Sequence, residues 1–530
     1  MLSTSSKEMN MELARESIDM FLNNRVVEAE ELFRHHDENW HVRMAQCYAA
    51  VMSAVVTFET AQLEQTLQLL KVTEKAVAPG SGLVSQLKSK LKGTEQLQEA
   101  EVVELLERQI VVADCQVCAA VLNFLQQDLG SCVKGSWGLR RAWKTYDRIY
   151  GQISAMYRQV QQEVPVDAAE PGEPAGCEPP PLPARPLLPT SSSSPSLSAF
   201  LRCGAVSAEA VRALMGSVSL GYGLFQLCVS LLPSKFVKVV QLLGFQSDRS
   251  AALAALMFCR TSRDMRAPLA SLALLWYHSV VRPLLSLDGR NVAAGVATSE
   301  LLLRETAGRY GQAALFQFFR GRVLRLQSDL EGAIAAYEVA ASQGQQQEVR
   351  LLCLHEIGWC RLLQLDWVGA FVAFSELAQQ SRWSRAFYHY LAAVCSGASG
   401  DVTLSAGLLS AALPPGAGRP DLDAFLQRRT AALRHGGVLD NTSLQQAERH
   451  YRRALVLGRD DRSRPHVAPH ASYELAVMYC GQPQRRAEGR ALLESARDAY
   501  KDYDFESRLG VRIQSALKRL EKVTREERAK

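Results

Sequence analysis

Two stretches of this chain decide its fold: GRVLRLQSDLEGAIAAYEVA (321–340) and, beginning 37 residues later, GWCRLLQLDWVGAFVAFSEL (358–377). In the first, Gly321 is followed by Ala333, Tyr337 and Ala340. In the second, Gly358 is followed by Ala370, Phe374 and Leu377. Both series step by +12, +4 and +3. Such spacing suits a pair of antiparallel helices. The glycine lets the first helix approach its neighbour, the small alanine lies where the two cross, and the aromatic fills the gap towards the next pair. Two copies in tandem make this a repeating unit, which cannot bury its apolar face alone and must stack on its neighbours.

The spacing is that of a tetratricopeptide repeat, whose ideal period is about 34 residues, so the helix ends here are lengthened. Units are expected at 314–347 and 351–384. A weaker one follows at Arg385–Leu413, and another near 470–500, where Gly489, Leu493 and Ala496 keep the last two steps. Ala29 and Phe33 repeat the alanine–aromatic step near the start. Elsewhere apolar residues recur at helical intervals, as in Leu106, Ile110, Val117, Val121 and Leu125, and strand signals are nearly absent. The expected fold is all-α, a helical-repeat solenoid.

Working outward, ten of the 20 prolines fall between Pro165 and Pro195. A run this rich in proline cannot continue a helix and reads as a solvated, partly polyproline-II linker. The expected domains are therefore an N-terminal helical block over 1–163, a Pro/Ser-rich disordered linker over 164–200, and a helical repeat block over 201–530. Within the linker, Pro180, Pro183 and Arg185 form a PxxPxR pattern, which presents two prolines and a cation to an SH3 or WW domain. The competing reading is a plain spacer.

The chain has 530 residues, 47% hydrophobic and 22% charged, which excludes a wholly disordered or fibrous protein. A net charge of +5 over this length does not call for a nucleic-acid partner. Twelve cysteines and a polar N-terminus without a signal-peptide pattern imply reduced thiols and a cytoplasmic protein. Ala213–Leu232 is uncharged over 20 residues, the length of a membrane span. An all-round apolar helix is also what the centre of a large helical protein needs, and that is the expectation here. A membrane-associated protein held by 213–232 is the alternative. Helix stripe Arg140, Lys144 and Arg148 can touch anionic lipid or simply face water.

Residues 217–249, SVSLGYGLFQLCVSLLPSKFVKVVQLLGFQSDR, resemble the central segment of the tetratricopeptide repeat protein 39 family, which includes a fungal inclusion-body clearance protein. SCVKGSWGLRRAWKTYDRIY (131–150), closest to the C-type member, and YKDYDFESRLGVRIQSALKRL (500–520) are similar to the same family. The resemblance implies a role in lipid homeostasis, inclusion-body clearance or cilium assembly. Read from its residues, the segment is structural. Pro233 starts a helix, Gly244 and Phe245 suit its C-cap, and Ser247 or Asp248 caps the next. Gly221-Tyr222-Gly223 lacks the third glycine of a dinucleotide fingerprint.

Chemistry is sparse. Cys115 and Cys118 form a CxxC with no second pair to complete a metal set, so buried thiols are expected. His355-Glu356 lacks the second histidine of a metalloprotease, and adjacent His35 and His36 point apart on a helix. No catalytic set, metal or cofactor is expected. What the repeat type implies is a concave groove lined by positions 2, 5, 9 and 12 of each first helix. Those positions give Phe318, Arg322 and Arg325, then Leu352, His355 and Trp359. Such residue types anchor protein interfaces, and they also pack between repeats. The expected function is a non-catalytic scaffold for protein partners.

Overall fold

The computed structural model describes residues 2–57, 59–78, 99–125, 129–163, 206–231, 248–285, 289–344, 346–381, 385–411, 444–460, 465–480, 482–503 and 506–528. All regular structure among them is helical, and the fold is an all-α helical-repeat solenoid. The linker residues Pro180, Pro183 and Arg185 and the junction at Pro233–Phe245 lie outside the described residues. Two compact units result, one ending at Leu274 and one beginning at Leu275.

The first unit contains α1 (Leu2–Leu22), α2 (Val26–His35), α3 (Trp40–Thr57), α4 (Thr60–Val77), α5 (Glu99–Leu125), α6 (Leu129–Glu163), α7 (Ala208–Leu231), α8 (Arg249–Arg260) and most of α9 (Ala267–Trp276). Ala29 and Phe33 of α2 are both buried. Helix α7 carries the apolar stretch that reads as either span or core. It is long and apolar enough to cross a membrane, but most of it is buried inside this unit. Leu106 and Ile110 of α5, Tyr146 and Tyr150 of α6, and Tyr222 and Phe225 of α7 share one core. Tyr150 stacks on Tyr222 with ring centres 3.8 Å apart.

Two α7 glycines show how closely its neighbours approach. A Cβ at Gly216 would lie 2.6 Å from that of Ser262, and one at Gly223 would lie 3.0 Å from the Ala252 carbonyl oxygen. Asp248 caps α8, accepting from the backbone N–H groups of Ser250 and Ala251. The unit boundary therefore differs from the one expected at the linker. Helices α7 and α8 belong with the N-terminal block, because an all-round apolar helix needs neighbours on several sides and α5, α6 and α8 supply them.

The second unit begins at a π-helical turn, Tyr277–Val281, followed by α10 (Arg282–Leu285) and α11 (Gly289–Tyr310). Repeat pairs follow: α12 (Ala314–Leu326) with α13 (Leu330–Gln343), α14 (Gln347–Leu363) with α15 (Trp367–Gln380), and α16 (Arg385–Ala398) with α17 (Val402–Ala411). Then come α18 (Leu444–Asp460), α19 (Val467–Cys480), α20 (Arg486–Asp498) and α21 (Glu506–Arg528). The glycine–aromatic register is realised as steric fit. A Cβ at Gly321 would stand 2.6 Å from Tyr337 Cε1, and one at Gly358 would stand 2.7 Å from Phe374 Cε1. Ala333 and Ala370 are fully buried beside them.

The hairpin turns repeat as faithfully. Ser328, Leu365 and Gly400 each take positive φ at the end of a first helix. Each is followed by an aspartate whose N–H returns to a carbonyl of that helix. Asp329, Asp366 and Asp401 then cap the second helix, accepting at 2.9 Å from the N–H of Gly332, Gly369 and Leu404.

Candidate functional site

Polar contacts run in series from α12 through α14 to α16: Arg322 and Arg325 reach Glu356, and His355, next to it, meets Tyr388. Phe318 is buried against Phe319 and Tyr337. Arg322 donates from Nη1 to both carboxylate oxygens of Glu356, at 2.9 and 3.0 Å, and from Nη2 to the Ser279 carbonyl at 3.4 Å. Arg325 reaches the same carboxylate at 2.7 Å, and the Tyr337 hydroxyl donates to it at 3.5 Å. Two guanidinium groups thus share one buried carboxylate across the boundary between repeats.

Beside this triad, Trp359 Nε1–H donates to His355 Nε2 at 3.1 Å. Since Nε2 accepts, the neutral ring carries its proton on Nδ1, which faces the Tyr388 oxygen at 3.2 Å. Burial holds the imidazole pKa below its ordinary value; Glu356 opposes this, while Arg325 and Arg322 add to it. Phe374 bridges the layers, lying edge-on to Trp359 and stacked with Tyr388. The structure therefore brings Phe318, Arg322, Arg325, His355 and Trp359 together on one face. Phe318 is buried, while the Arg pair, His355, Trp359 and Leu352 are half-buried.

Glu356 is the residue that sequence reasoning passed over. Its partner Arg322 lies 34 positions earlier, three short of the 37-residue spacing between these two repeats, so the repeat register alone does not relate them.

A second polar cluster lies in the core of the first unit. Asp114 accepts from Tyr48 at 2.7 Å, from Tyr146, and from Arg266 Nη2 at 2.9 Å. Arg266 also pairs with Asp264 at 3.1 Å, and the Ser217 hydroxyl donates to Asp264. Burial works against ionisation of Asp264, yet Arg266 and Ser217 hold its pKa below the ordinary carboxylate value. A Cβ at Gly221 would fall 1.9 Å from the Tyr146 hydroxyl, which accounts physically for the glycine in Gly221-Tyr222-Gly223.

The CxxC lies alongside this cluster. The neighbouring Cys47 thiol, then burial, push Cys115 well up, and burial with Asp114 does the same to Cys118. Thiols held protonated are poor nucleophiles and poor metal ligands. On α6, Lys144 and Arg148 are exposed and Arg140 is half-buried, opposite buried Trp143, Tyr146 and Tyr150.

Paired helices with a glycine–alanine–aromatic register, stacked so that first helices share a face, define a protein of the tetratricopeptide-repeat class. More particularly, the chain belongs to the family described as Iml2/Tetratricopeptide repeat protein 39, whose model matches residues 15–412. Among solved structures it is similar to a monomeric mutant of IFIT1 determined with Gppp-AAAA. The two share 13% identity over 95% of each chain, with a TM-score of 0.31.

Proposed function

We propose that this chain is a non-catalytic helical-repeat scaffold whose second unit receives a protein partner on the face formed by α12, α14 and α16. The observation that carries this reading is the continuity of that face. Arg325, His355 and Trp359 are each half-buried; Arg325 crosses the repeat boundary to Glu356, and Trp359 bonds His355, the neighbour of Glu356 in sequence. Half-buried arginine and tryptophan on a rigid backbone lose little freedom when covered, and they suit an interface centre. With two guanidinium groups facing one carboxylate, the face carries a net positive charge beside its aromatics, so a segment bearing a carboxylate and an apolar side chain fits it.

The test is proximity labelling with wild type and Trp359→Ala, with thermal unfolding as a folding control. A set of partners lost in a folded Trp359→Ala variant supports the reading. An unchanged set from the same variant removes this face from the function.

A further inference from the structure

Of the fourteen large apolar side chains exposed among the described residues, four fall within residues 363–372, where α14 turns into α15. Leu363 exposes 60% of its surface, Leu365 65%, Val368 66% and Val372 59%. Val368 and Val372 stand one turn apart on α15, and Leu365 is the turn residue with positive φ. Together the four present roughly 400 Å² of aliphatic surface, a size at which an exposed patch on a soluble protein is often functional.

The hairpin itself does not require aliphatic side chains at these places. Counted from the capping aspartates Asp329, Asp366 and Asp401, the positions of Leu365, Val368 and Val372 are held by Ser328, Glu331 and Ala335 in the preceding repeat. In the following repeat they are held by Gly400, Thr403 and Gly407. Both neighbours make the same turn with the same cap.

Charge beside the patch is acidic. Glu331 reaches it directly, its Oε1 accepting at 2.9 Å from Nε2 of Gln364, which stands between Leu363 and Leu365. Asp329 precedes Glu331 by two residues and accepts from the Gly332 N–H at 2.9 Å. Both donors are neutral. The arginines at these hairpin ends are already met, Arg361 lying 3.4 Å from Asp366 and Arg325 lying 2.7 Å from Glu356. Asp401, at the same turn of the next repeat, accepts from the Leu404 N–H. Across the three hairpin ends, Arg325 and Arg361 thus face Asp329, Glu331, Asp366 and Asp401, and the balance is negative.

We propose that the hairpin end at 363–372 is a docking surface for a basic amphipathic helix of a partner protein. Its aliphatic side chains lie against Leu365, Val368 and Val372, and its lysines or arginines against Asp329 and Glu331. The i, i+4 pair Val368 and Val372 forms a ridge of the kind another helix packs against. Charge complementarity selects the sign of the occupant. A second copy laid patch to patch would set Asp329 and Glu331 against their own equivalents, and an anionic membrane would meet the same repulsion.

Fluorescence anisotropy on the full chain tests this, using a fluorescein-labelled peptide with Leu at helical i, i+4 spacing and Lys on its flanks. A peptide of the same composition with that spacing scrambled is the control. Expected is micromolar binding of the amphipathic peptide only, weakening as salt rises from about 0.05 to 0.3 M. Leu365→Ser/Val368→Thr installs residues that the neighbouring repeats carry at these places. Asp329→Asn/Glu331→Gln removes two charges and keeps an acceptor at each position. Each double variant should weaken binding about tenfold, with unchanged circular dichroism. Equal binding of the two peptides, no binding, or indifference to either variant overturns the proposal. So does self-association in light scattering that Leu365→Ser/Val368→Thr abolishes while the peptide fails to bind, which gives the patch to a second copy.

Discussion

Arg322 and Glu356 sit on first helices of consecutive repeats, and Arg322 Nη1 bonds both oxygens of the Glu356 carboxylate, at 2.9 and 3.0 Å. The pair fastens one repeat to the next, and Arg325 and Tyr337 complete the shell around the carboxylate. Glu356→Ala leaves two largely buried guanidinium groups facing each other without a counter-charge. It should cost about 3 kcal/mol. Arg325→Met should cost less, about 1 kcal/mol, because Arg322 still satisfies the carboxylate. Urea unfolding of both variants checks the order, and equal costs would show that the triad does not act as one unit.

Gly221→Ala addresses the first unit. The added methyl would overlap the Tyr146 hydroxyl and crowd Asp114 Oδ1 at 2.5 Å. Relief requires the network of Asp114, Tyr48, Tyr146 and Arg266 to part, leaving buried polar groups unpaired. A loss of about 3 kcal/mol or more is expected, far beyond the gain of about 1 kcal/mol that alanine brings to a helix interior. Thermal unfolding that is unchanged or raised would contradict the packing at this crossing.

The hairpin turns make a reciprocal test. Leu365 holds φ at +62° while 65% of its surface is exposed; Gly400 occupies the equivalent turn of the next repeat at φ +98°. Leu365→Gly relieves a left-handed conformation worth about 1–2 kcal/mol and loses little burial. After the entropy that glycine adds to the unfolded chain, a net gain of about 0.5–1 kcal/mol is expected. Gly400→Leu should lose about 1–2 kcal/mol. Denaturant midpoints that move the same way in both variants would refute the shared turn.

These sites show what the sequence makes legible. Gly321 with Tyr337 and Gly358 with Phe374 are readable because each pair falls within one hairpin, where spacing is fixed by helix geometry. The Asp248 cap is readable for the same reason, being local. Arg266 and Asp114 are 152 residues apart, and no period relates them. Leu365 gives no turn signal, because leucine is an ordinary helix residue and only its repeat-mate Gly400 advertises the conformation. The proline-rich linker does not reveal where α7 belongs: proline marks where helices cannot run, not which helices share a core. On the candidate face, residue types and spacing name Arg322, Arg325, His355 and Trp359. That Glu356 holds the arginines depends on how far α14 is shifted against α12, and apolar periodicity on each helix does not encode that shift.

The last prediction concerns pH. His278, in the π-helical turn, is buried, and Arg282 Nη1 lies 3.2 Å from its Nδ1. Burial first, then the Arg282 charge, lowers its pKa from 6.5 to about 4. A folded-state value below the unfolded one means that between pH 6.5 and 4 the unfolded chain binds a proton that the folded chain refuses. Stability from this group is therefore complete above pH 6.5 and declines as pH falls towards 4. The decline should total on the order of 3 kcal/mol, since the pKa falls by about 2.5 and one pKa unit corresponds to about 1.4 kcal/mol. Burial lowers His355 and His470 as well, so the whole unit loses stability in the same direction. The His278 share is isolated by His278→Gln, which cannot take up a proton in either state. Denaturation midpoints of the two proteins should diverge least at pH 4 and most at pH 7 if the imidazole is the better fit to its pocket. The wild-type curve should also be the steeper between those limits. Parallel curves would mean that His278 titrates alike folded and unfolded, and that the Arg282 contact does not persist in solution.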